Sequence, residues 1–125
     1  MEEMMEELIF NKEQKEILME ILKLNIDDKY NGSLIKQAYH DFKKTDKHFI
    51  TPHWSSVFSS NISHFLFFSL REELNLEEDY ILQNAIGNYK SKPKLSKKYE
   101  LTKDLKERIR EPWNNNKTMM IVFKN

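Results

Sequence analysis

SLIKQAYHDF, residues 33–42, sets the expectation for the whole chain. Its apolar residues Leu34, Ile35, Ala38, Tyr39 and Phe42 recur three or four positions apart, which gathers them on one side of a helix. Ser33 stands where a helix N-cap is wanted, and the polar run Asp27 to Gly32 before it reads as a turn.

The same rhythm continues on both sides. Ile17, Leu18, Ile21 and Leu22 form a second stripe. Met1, Met4, Met5, Leu8 and Ile9 form a third that is out of phase with it. A helix break near Phe10 resolves the mismatch, with Asn11 as the next N-cap and Gln14 as its reciprocal partner. Thr51-Pro52 reads as N-cap and first helical residue, where the donor that proline lacks is not needed. From Trp54, the residues Val57, Phe58, Ile62, Phe65, Leu66 and Leu70 keep helical spacing, with a break expected near Asn61. Phe65 to Phe68 is apolar on all sides and marks the most buried helix, a buried strand being the competing reading.

Asn75 is placed to cap a further helix with Leu76, Tyr80, Ile81, Ala85, Ile86 and Tyr89 inward. Ser91 to Lys98 reads as a basic, proline-interrupted linker. Thr102 is expected to cap a short helix with Leu105 and Ile109 inward, ended by Glu111-Pro112. After a turn at Asn114 to Lys117, Thr118 to Phe123 has strand character, and its pairing partner is residues 48–51 or 98–101. The expected fold is mainly α: one helical domain over residues 1–125, a compact bundle of about five or six short helices, with a small two-stranded β element involving the C-terminal segment.

Composition narrows the function. Two glycines and three prolines are too few for the corners of an all-β sandwich or barrel, and two glycines cannot build a phosphate-binding loop. The absence of cysteine excludes disulfides, thiolate metal sites and thiol nucleophiles. The acidic start, Met1 to Glu7, is unlike a secretory signal, and the apolar runs are far shorter than the ~20 residues of a membrane helix. A cytoplasmic protein away from membranes is the expectation.

Histidines 40, 48, 53 and 64 lie in one third of the chain, but no two share the three- or four-residue spacing of helical metal ligands. Ser60 and His64 are four apart, without the glycine elbow or oxyanion loop a nucleophile needs. Glu72-Glu73 and Glu77-Glu78 fit the solvent side of helices. No catalytic, metal or cofactor site is therefore assigned.

The formal net charge is zero, yet the charges are segregated. Nine acids, Glu2, Glu3, Glu6, Glu7, Glu13, Glu16, Glu20, Asp27 and Asp28, face three lysines in residues 1–28. Nine bases, Lys90, Lys92, Lys94, Lys97, Lys98, Lys103, Lys106, Arg108 and Arg110, face three acids in residues 90–110. Such opposed segments either meet in the fold or meet partners outside it. The leading expectation is a non-catalytic binding protein that occupies a macromolecular partner, most naturally a protein, in the manner of an immunity protein, antitoxin or phage-encoded inhibitor. Glu2, Glu3, Glu6, Glu7 and Glu13 would then form the acidic contact face. The alternative is a nucleic-acid-binding regulator that uses Lys90, Lys92, Lys94, Lys97, Lys98, Tyr99, Lys106, Arg108 and Arg110, with the tyrosine stacking on bases.

Overall fold

The computed structural model describes residues 5–74 and 96–124. In chain order these form β1 (Glu7–Asn11), α1 (Lys12–Leu24), α2 (Gly32–Lys44), β2 (Lys47–Ile50), α3 (Pro52–Leu74), α4 (Lys97–Ile109), the single turn α5 (Glu111–Asn114) and β3 (Met119–Lys124). Helix dominates, as the periodicity implies. The β part is larger than expected: a three-stranded mixed sheet in the order β1-β3-β2. β3 pairs antiparallel with β2, the first of its two expected partners, and parallel with β1. Residues 98–101, the other expected partner, lie in α4.

β1 corrects the helix expected to run to Phe10. Leu8 and Ile9 can share a helical stripe, but Glu7 to Asn11 alternates exposed and buried, with Leu8 and Phe10 inward and Ile9 outward. Pairing with β3 places Leu8 against Ile121 and Phe10 against Phe123, so long-range pairing overrides the local rhythm. Asn11 does cap α1: its side chain accepts from the Gln14 N–H, and the Gln14 side chain accepts from the Asn11 N–H.

Other boundaries shift for local reasons. The Asp28 carboxylate accepts the N–H groups of Tyr30 and Asn31, so Ser33 is left inside the first turn of α2 and does not cap it. Thr51 accepts from Trp54 N–H as expected, and α3 then runs unbroken through Asn61. Its Phe65–Phe68 segment is not buried all round: Leu66 is buried, whereas Phe68 is 58% exposed. Ser96, not Thr102, caps α4, and Thr102 is buried within it, its hydroxyl donating to the Lys98 carbonyl. Among the described residues there are four helices of 13 residues or more and one of a single turn, in place of five or six short ones. The helix expected from Asn75 to Tyr89 lies outside the described residues.

The core lies between the inner face of the sheet and the helices. Leu8, Phe10, Ile50, Met119, Ile121 and Phe123 meet Leu18, Ile21, Leu22, Ile35, Phe42, Phe58, Ile62, Leu105 and Ile109. Phe42 stands edge-on to Phe123, with ring centres 5.7 Å apart. Each fully buried side chain of this size contributes roughly 1.5–3 kcal/mol. Ser55 ties the far end together: its hydroxyl donates to the Ile109 carbonyl and accepts from Trp113 N–H.

Candidate interaction surface

The segregated charges meet within the fold. α4 lies beside α1, so that Lys97 reaches Glu13 at 3.1 Å and Lys98 reaches Glu20 at 3.0 Å. Glu6 pairs with Lys117 at 2.7 Å. All of these side chains are substantially exposed, and such pairs typically contribute under about 1 kcal/mol each. Of the expected acidic face, then, Glu6 and Glu13 have internal partners, Glu7 stays exposed on β1, and Glu2 and Glu3 lie outside the described residues.

The basic set divides in the same way. Lys90, Lys92 and Lys94 lie outside the described residues. Lys97 and Lys98 face α1. Arg108 serves the fold: it donates to the Ile9 carbonyl, lies 3.2 Å from Asp104 and stacks 4.2 Å from the centre of the Phe10 ring. Tyr99 packs against the core. Lys106 joins Lys103, Tyr99 and Phe67 along a groove of about 250 Å³ between α3 and α4, with Glu107 at its side. Arg110 is exposed at the end of α4.

The histidines do not converge. His40 and His53 lie beside Tyr39 and Trp54. His64 lines a cleft of about 640 Å³ between the C-terminal halves of α1 and α3, with Ile21, Leu24, Phe65 and Phe68. His48 sits on β2 with its ring 4.7 Å from Phe42, and burial pushes its pKa below the ordinary 6.5 against the opposing pull of Asp41. Among the described residues no group of three His, Asp or Glu side chains could hold a metal, and Ser60 makes no hydrogen bond to His64.

A surface that the helical reading hides is the outer face of the sheet. The strand registers lay two rows across it: Glu7, Met120 and Phe49, then Ile9, Val122 and Lys47. Ile9 is 44% exposed and Phe49 56%. Ile9 and Phe49 therefore stand exposed at opposite corners, with Met120 half-buried and Val122 buried (2% exposed) between them, and an acid and a base at the other two corners. The alternation is one of burial and not of sequence, since Leu8, Ile9 and Phe10 are adjacent apolar residues, so local pattern alone does not reveal this face.

Each free edge of the sheet is occupied at one position. Phe123 N–H donates to the Asp46 carbonyl, so the alternate residue Lys47 turns its backbone away from β3, and there the Thr45 hydroxyl bonds both Lys47 N–H and C=O. On β1 the Ile9 carbonyl takes Arg108. Occupied edge groups disfavour strand-to-strand pairing. Asp46 also receives Lys12 at 2.7 Å and Lys15 at 2.8 Å, hydrogen bonds that hold its carboxyl down to about 2 and tie α1 to the start of β2.

No helix among the described residues is long and apolar enough to cross a membrane. Comparison with protein families, with curated proteins and with solved structures returns no match for this chain.

Proposed function

We propose that this chain is a small, non-catalytic cytoplasmic binding protein that acts by occupying another protein, as an immunity protein, antitoxin or phage-encoded inhibitor does. The observation that carries this reading is the pair of exposed apolar side chains, Ile9 and Phe49, on the outer face of the sheet. With Met120 half-buried between them and single charges of each sign beside them, they have the composition of a protein contact. A phosphate-binding face would instead carry cations across its whole width. The contact centre moves accordingly from the acidic run to Ile9, Met120 and Phe49, with Glu7 retained at the rim. The test is affinity capture with the tagged chain in its source cell, run beside Phe49→Glu. The wild type is expected to retain a protein at fixed stoichiometry that the variant loses while keeping its helical circular dichroism. Equal retention by both would contradict the reading.

One observation favours the nucleic-acid alternative: the α3–α4 groove joins Phe67 and Tyr99 with Lys103 and Lys106, neither of which is in an ion pair among the described residues. Aromatics beside free cations suit unpaired bases and phosphates. On this alternative, Lys103→Glu with Lys106→Glu abolishes a salt-sensitive affinity for single-stranded oligonucleotides. An unchanged affinity excludes this groove as the nucleic-acid site.

A further inference from the structure

The two rows of the outer sheet face are self-complementary. Neighbouring strands stand about 4.8 Å apart and same-face residues about 6.7 Å apart along a strand, so Ile9 and Phe49 lie roughly 12 Å apart across the face. Glu7 and Lys47 occupy the other two corners. A two-fold rotation about the Ile9–Phe49 diagonal leaves Ile9 and Phe49 facing their own copies, with the half-buried Met120 beside the axis, and carries Glu7 to within side-chain reach of Lys47. Among the described residues neither Glu7 nor Lys47 is in an ion pair. The edges are occupied at Lys47 and at the Ile9 carbonyl, which hinders association by added strands at those positions.

We propose that this face binds a second copy of the chain, the two sheets crossing at near right angles about the Ile9–Phe49 diagonal, with Glu7 of each protomer against Lys47 of its partner. Such a contact is isologous, each patch serving both sides, and orthogonal sheet packing is an established geometry. The face is small, so the dimer is weak and forms at high concentration. The proposal rests on the reading of this face as a protein contact, and it names what covers the face when no other protein does.

Sedimentation velocity from roughly 10 µM to 1 mM tests it. The wild type passes from monomer to dimer across this range. Glu7→Lys alone and Lys47→Glu alone each weaken the dimer about tenfold, because like charges then face each other. The double variant Glu7→Lys with Lys47→Glu restores the dimer, a rescue that lost folding cannot mimic. A wild type monomeric throughout, or a double variant as weak as either single one, overturns the proposal. A monomeric wild type that still captures a protein through Phe49 sinks the dimer and leaves the proposed function standing. A rescued dimer with no captured protein does the reverse.

Discussion

A methyl group on Gly32 would run into the Ile26 carbonyl, with no flexible side chain in between to give way. The glycine is needed for close approach of two backbones, and its φ is not positive. Gly32→Ala should cost about 1–3 kcal/mol, read as a lower urea midpoint at unchanged slope. His48 carries a second consequence. Because burial lowers its folded pKa below the unfolded 6.5, the unfolded chain binds more protons between the two values. Stability is therefore complete above pH 6.5 and falls as pH drops below it. Urea unfolding at pH 5 and pH 8 should show this loss, and His48→Phe should flatten it; an equal loss in the variant would place the titrating group elsewhere. Ser55→Ala strands the Ile109 carbonyl in a buried setting and should cost about 1–3 kcal/mol, measured in the same way.

At the scale of elements, Gln14 couples three pieces of the fold. Its side chain completes the α1 cap, and its amide donates to the Leu101 carbonyl and, at 2.8 Å, to Asp104. Gln14→Leu keeps the bulk and removes these bonds. The loss should be about 2 kcal/mol and should be accompanied by faster amide exchange in the first turn of α1 and around Leu101. The Asn11–Gln14 cap, the stripe Ile17 to Leu22, Pro52 at the start of α3, the inward Leu105 and Ile109 and the C-terminal strand are all legible from local pattern. β1 is not, because five residues rich in adjacent apolar groups fit either period, and only the distant β3 selects the strand. The Ser96 cap is hidden for a related reason: the proline and lysines before it suggest a linker, while the helix is held by burial of Thr102 and Leu105. The candidate contact face follows β1 into obscurity, since without that strand Ile9 has no row to join.

For the whole molecule, part of the segregated charge is matched internally among the described residues, with Lys97 and Lys98 of α4 laid along Glu13 and Glu20 of α1 and Arg108 bonded to the Ile9 carbonyl on β1. The surface proposed for a partner centres on the exposed Ile9 and Phe49, on the face of the sheet opposite the described helices. Hydrogen exchange of the chain with and without its captured protein tests that placement most directly. Slowed exchange is predicted across residues 7–11, 47–50 and 119–124, with α4 unchanged. Protection confined to α1 and α4, with the three strands exchanging as in the free chain, would contradict it.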